Sequence, residues 1–286
     1  MAIEYKHKVN KNGSTNVSSA TETFFDINYI ESSESPIDSF FLNTKDLNII
    51  SATLSISPAL TKKTYNLILL GQISAVESYI REVIRKLIIN DEESKNTSST
   101  AQLTYGAALN YSKEILPEAL MESYSFASKK NILDALKTFL NIKGHFPIEL
   151  TDALVEFERI CQLRHCIIHR FGKLGSNNAL KLGLDAHAQC LEKPLSLDTS
   201  HLLETYIVSE NLVLLINNFL FKSILQRTVQ IDGFWTWDFR KDKKKFTTYY
   251  NIFKSLQEPE IPNTDLKTAY LNLREYKKEL IKKERR

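Results

Sequence analysis

Two arginines and two histidines fall inside a single ten-residue stretch, Cys161-Gln162-Leu163-Arg164-His165-Cys166-Ile167-Ile168-His169-Arg170. Imidazole exchanges protons near neutral pH, and a guanidinium stays charged. Side chains of these types can move a proton and hold a phosphate. At about 100° per residue, Leu150, Ala153, Leu154, Phe157, Ile160, Cys161, Ile167, Ile168 and Phe171 form one apolar stripe on a helix from about Ile148 to Leu174. Arg164 falls about 20° from Phe157, near the middle of the stripe, and His165 and His169 lie about 80° and 120° round, at its edge. A charge that cannot be lost is costly in such a stripe unless an anion meets it: a carboxylate, a group from a partner subunit, or a phosphate.

The spacing Arg164-His165-Cys166-Ile167-Ile168-His169, with a polar residue directly after the arginine, resembles the HEPN superfamily. The resemblance covers roughly Ser57 to Val229. It implies a small helical bundle that dimerises with its motifs face to face and cuts RNA without a metal or other cofactor. In that chemistry the RNA 2′-hydroxyl attacks the adjacent phosphate. A base takes the hydroxyl proton, an acid protonates the leaving 5′-oxygen, and a cation offsets the charge gathering on phosphorus. His169 is the expected proton carrier and Arg164 the phosphate ligand. His165 helps orient or charge the site, and Glu77, beside the seam of an earlier helix, orients Arg164 from behind. The products would be a 2′,3′-cyclic phosphate and a 5′-hydroxyl. Such a nuclease needs restraint, so the resemblance also implies bacterial toxin–antitoxin or antiviral defence, with an antitoxin or regulatory partner.

Three other readings use the same residues. Arg164 could form a structural ion pair with Glu77 or Glu158. A non-catalytic helical module could use the bundle to dimerise or bind RNA. Cys161, His165 and His169 recur every four residues along one helical face, a zinc-compatible spacing. No His-Glu-x-x-His and no second Cys or His pair completes a zinc shell. No glycine-rich phosphate loop or serine or cysteine elbow is present either.

The elements that must position the motif read as helices. Only eight Gly and seven Pro in 286 residues disfavour a turn-rich β fold. Ser57-Pro58 starts a helix that runs to about Ile89, with Leu69, Ile73, Val76, Ile80, Val83 and Leu87 at four-three spacing. Asp91 to Ser99 reads as a polar loop. Further helices are expected near 100–115, 118–127 and 129–142. Gly172 to Asn178 ends the motif helix, and a ragged connection leads to the capping cluster Asp198-Thr199-Ser200. The helix after it, to about Arg227, is apolar nearly all round and therefore central. Residues 1–56 read as an appendage: a loose start, then Phe25, Ile27 and Tyr29 alternating with Asp26 and Asn28 at strand period. The expected organisation is an all-α HEPN-like bundle over 57–229, a small strand-containing N-terminal appendage over 1–56, and a helical extension over 230–286 whose last helix starts near Asn263.

Charge is local. Arg240-Lys241-Asp242-Lys243-Lys244-Lys245 and the segment 277–286 each carry +4 against a whole-chain +3, which leaves the remainder at 3 − 8 = −5. Trp235 and Trp237 precede the first run. Arg240, Lys241, Lys243, Lys244 and Lys245 could track an RNA backbone while the tryptophans stack its bases; a solvated surface is the alternative. Three cysteines do not make a disulfide framework and point to a reducing cytoplasm. No signal-peptide pattern and no membrane span are read from the sequence. RNA and a second copy of the chain are the expected partners.

Overall fold

The structure is a computed structural model that describes residues 9–10, 18–54, 61–257 and 264–284. The expected helix starts at Ser57-Pro58 and near Asn263, and most of the loose start over residues 1–20, lie outside the described residues. The chain divides into two compact units, residues 1–33 and 34–286.

In the first unit the expected strand does not form. Thr21–Phe24 is a turn of 3-10 helix, and the residues after it are irregular. Phe25, Ile27 and Tyr29 are exposed. Alternation predicts a strand only where one face is covered and a neighbour completes the ladder. No strand occurs among the described residues; the β-type pairing present is two isolated bridges, Lys173 with Pro194 and Leu174 with Leu191.

The second unit is helical. Its elements are α1 (Pro36–Leu54), α2 (Thr61–Asn90), α3 (Glu92–Ser98), α4 (Tyr105–Asn110), α5 (Leu116–Met121), α6 (Lys129–Leu140), α7 (Ile148–Arg170), α8 (Ser176–Leu182), α9 (Leu184–His187), α10 (Thr199–Val229), α11 (Phe239–Phe253) and α12 (Leu266–Glu284). The helix α1 lies within the stretch read as an appendage, yet it packs along α2 and places Ile37 and Phe40 in the core.

The long helix α2 is the spine. Leu69, Ile73, Val76, Ile80, Val83 and Leu87 are fully buried, so the four-three spacing marks its inner face. Against it lie α1, α7 and α10. The helix α10 starts where the capping cluster predicts: Asp198 accepts from the His201 backbone N–H while the His201 ring takes the Asp198 N–H. By length and composition α10 would also suffice to cross a bilayer. In this fold its Leu212, Val213, Ile216, Leu220 and Ile224 are buried in the shared core.

One expected loop differs. Asp91 to Ser99 is a helix, α3, because Asp91 caps it by accepting from Ser94 N at 2.8 Å. Asp91 also pairs with Arg227 and accepts from the Tyr249 hydroxyl at 3.4 Å, joining α3 to α10 and α11. The basic run is itself a helix, α11. With α12 it packs on the bundle through Trp235, Phe246, Tyr249, Tyr270 and Leu273, in one core with α2 and α10.

Candidate functional site

The helix α7 carries the motif in its last two turns. Pro147 precedes its first residue, and Phe171 and Gly172 end it in left-handed conformation, at φ 53° and 93°. The Gly172 N–H donates to Cys166 O at 2.9 Å, closing the C-terminus. The first half follows the expected stripe: Leu150, Ala153, Leu154, Phe157 and Cys161 are buried. The second half follows it only at Ile167, which is buried. Ile168 is 50% exposed and Phe171 77%, whereas Gln162 and Cys166 are buried.

The cause is the segment after the helix. Residues 173–194 fold back, and Leu174 and Ala179 cover Cys166. Asn178 donates to Gln162 at 3.2 Å, and Arg170 makes two hydrogen bonds to Glu192, at 2.7 and 2.8 Å. The covered face of α7 therefore turns, and Arg164 sits at the edge of the bundle rather than in the middle of a buried stripe.

Arg164 Nη2 lies 3.8 Å from Glu77 Oε2, with side chains 27% and 19% exposed. This is the carboxylate named from sequence, across the α2–α7 contact. One contact at that distance leaves most of the guanidinium's five donors for another anion. The His165 and His169 rings stack with centroids 6.0 Å apart and 14° between planes. His165 is partly buried and His169 exposed. Burial lowers the His165 pKa, and the charges of Arg164, His169 and Lys181 push it the same way. Glu77 pulls the other way without reversing the direction.

Two cations that sequence reading missed join this face. Lys181 sits on α8, inside the connection read as ragged, and acts on His165 through its charge. The Lys63 Nζ stands 5.7 Å from the Phe171 ring centroid. Neither position carries a motif; only the fold brings them to α7.

The zinc alternative fails on donor geometry. Cys161 is fully buried while His169 is exposed, so the three do not converge. Burial pushes the Cys161 thiol up to about 12, with Glu77 adding to the rise. Among the described residues no cluster of three or more His, Cys, Asp or Glu is placed to hold a metal.

The C-terminal candidates separate. Trp235 is buried, and its indole N–H donates to Thr228 Oγ1 at 2.8 Å inside a cluster with Phe234, Phe246, Tyr249 and Tyr270. A ring held this way cannot stack on a base, which corrects that expectation. Trp237 is partly buried against the same core. Arg240, Lys241, Lys243, Lys244 and Lys245 are exposed, although Lys245 also donates to Phe234 O at 2.9 Å and lies over its ring.

Comparison of the chain with protein-family models, curated proteins and solved structures gives no match.

Proposed function

We propose that the chain is a metal-independent endoribonuclease of the HEPN type, acting as a homodimer. The observation that carries this reading is the group Arg164, His165 and His169 at one solvent-reaching edge of α7, with Glu77 behind the arginine. Glu77 fixes the guanidinium from one side and leaves its other donors for a phosphate oxygen. In the proposed reaction the RNA 2′-oxygen forms the new bond to phosphorus, and the P–O5′ bond breaks. One imidazole removes the 2′-hydroxyl proton, and another protonates O5′. Arg164 offsets the charge on the phosphoryl oxygens. His169 is the exposed proton carrier; His165, stacked on it, holds its ring.

At this edge of α7 one chain offers one exposed imidazole, His169, so a second copy supplies the other proton-transfer group. Exposed Leu67, Ile168 and Phe171 give the apolar surface for that contact. A role in toxin–antitoxin or antiviral defence, in the cytoplasm and under an inhibitory partner, follows from the HEPN resemblance and is proposed with it. The competing reading, a structural Arg164–Glu77 pair in a binding module, draws on the same contact. Digestion of single-stranded RNA by chelator-treated protein separates the two. The nuclease reading expects cleavage by the wild type and none by His169→Ala at equal dimer content. Equal cleavage by both proteins, or none by either, removes it.

A further inference from the structure

The basic run reads differently once folded. At about 100° per residue, the buried Asp242, Phe246, Tyr249 and Phe253 of α11 fall on one side of the helix, with buried Ile252 at its flank beside Lys241. Arg240, Lys241, Lys243, Lys244, Thr247, Thr248 and Asn251 occupy the opposite arc, which holds four cations and no carboxylate. Asp242, the single acid within Arg240–Lys245, is turned inward. It accepts from Thr236 N, Thr236 Oγ1, Trp237 N and Tyr270 Oη at 3.0, 2.9, 2.9 and 2.6 Å. Asp238 is occupied at the helix start, accepting from Arg240 N at 2.9 Å. The core thus withdraws the counter-charge from the run and leaves a rigid cationic ridge.

The ridge stands apart from the α7 site. Glu77 meets Arg164 near the middle of α2, and Tyr249 of α11 meets Asp91 just beyond the end of α2. The 14 residues from Glu77 to Asp91 span about 21 Å at the helical rise.

We infer that the outer face of α11 binds the phosphate backbone of single-stranded RNA, apart from the Arg164–His169 pair. The choice of RNA over another polyanion rests on the proposed nuclease function. Trp235 is in the core and Trp237 packs partly buried against it, so the ridge grips chiefly by charge and hydroxyl contacts rather than by base stacking. It therefore binds without base preference. It acts on RNA long enough to reach beyond the cut dinucleotide.

The test uses full-length protein carrying His169→Ala, so that bound RNA stays intact. Affinity for an oligonucleotide longer than the roughly 4–16 nucleotides such grooves hold is measured from 50 to 200 mM salt. The perturbed protein adds Arg240→Gln, Lys241→Gln, Lys243→Gln and Lys244→Gln, exposed changes that keep helix propensity. A control instead adds Lys95→Gln, Lys113→Gln, Lys130→Gln and Lys143→Gln, also exposed. Losing four phosphate contacts should make the log–log salt slope shallower by about 2.8, equivalent to about 50-fold across that range. The control should keep the wild-type slope, and poly(A) and poly(U) should behave alike.

An unchanged slope, an equal loss in the control, or no measurable RNA binding overturns the inference. So does capture of phosphatidylcholine–phosphatidylserine vesicles that depends on the four cations while RNA binding does not. Cleavage is read separately with His169 intact. Failure to cut any RNA, with the α11 dependence of binding preserved, removes the nuclease reading and leaves the ridge. Cleavage with no such dependence does the reverse.

Discussion

Asp242→Ala gives the clearest stability effect. Asp242 is 4% exposed and gathers two backbone N–H groups, the Thr236 hydroxyl and the Tyr270 hydroxyl around one carboxylate. Trp237 sits at φ 64°, a left-handed conformation uncommon for a side chain of that size, and its N–H is among the donors. Truncation leaves these groups facing a void. Hydrogen bonds to a charged group contribute about 1.5–3 kcal/mol each, not additively, and an unmatched buried donor costs about 1–3 kcal/mol. Asp242→Ala should therefore cost about 3–5 kcal/mol, or roughly 10 °C in Tm for a chain of this size. Asp242→Asn keeps the shape but turns an amide N–H2 toward donors, and should cost about 2 kcal/mol.

The pH dependence carries a second check. Burial alone would raise the Asp242 pKa, but the Tyr270, Thr236 and Trp237 hydrogen bonds outweigh it and the net shift is downward. A depressed carboxylate stabilises the fold above its unfolded value, about 3.9, and that stability is lost as pH falls through the folded value. Wild type and Asp242→Asn should then differ most near neutral pH and converge in acid. Chemical denaturation at several pH values, with tryptophan fluorescence reporting on Trp235 and Trp237, measures this. A Tm change under about 2 °C for Asp242→Ala, or a gap that widens in acid, would refute the reasoning.

Three further outcomes are expected. Trp235→Phe, which removes the N–H bonded to Thr228, should cost about 1–2 kcal/mol by denaturant titration and leave RNA affinity unchanged, because the ring is internal. Leu154→Ala, at a fully buried position, should cost about 2–5 kcal/mol by the same method. The depressed His165 pKa means that the unfolded chain takes up a proton the folded chain refuses. Stability should fall as pH drops through about 6.5, and His165→Gln should flatten that part of the curve in denaturation at pH 5.5 and 7.5.

The buried face of α2 was legible because its four-three spacing runs unbroken from Leu69 to Leu87. The start of α10 was legible because Asp198 is a local device that acts within one turn. What failed depended on distant neighbours. The Phe25–Ile27–Tyr29 alternation has no partner ladder. Ile168 and Phe171 continue the α7 stripe in sequence, but the fold-back of residues 173–194 covers the Cys166 side instead. That same rotation brings Arg164 to the edge of the bundle. Trp235 beside a lysine run looked like a stacking platform; Thr228, seven residues earlier, supplies the partner that makes it core. Glu77 was named from its place beside the α2 seam and does lie against Arg164. Lys181 and Lys63 had no local signature at all.

Product end groups test the central claim most directly. Single-stranded RNA is incubated with chelator-treated wild type, Arg164→Ala and Arg164→Lys, and the termini are resolved by mass spectrometry. The account predicts 2′,3′-cyclic phosphate and 5′-hydroxyl ends from the wild type, none from Arg164→Ala, and only partial rescue by lysine, which keeps the charge but lacks the planar fork. Fragments ending in 5′-phosphate, or equal yields of the same ends from Arg164→Ala, would contradict it.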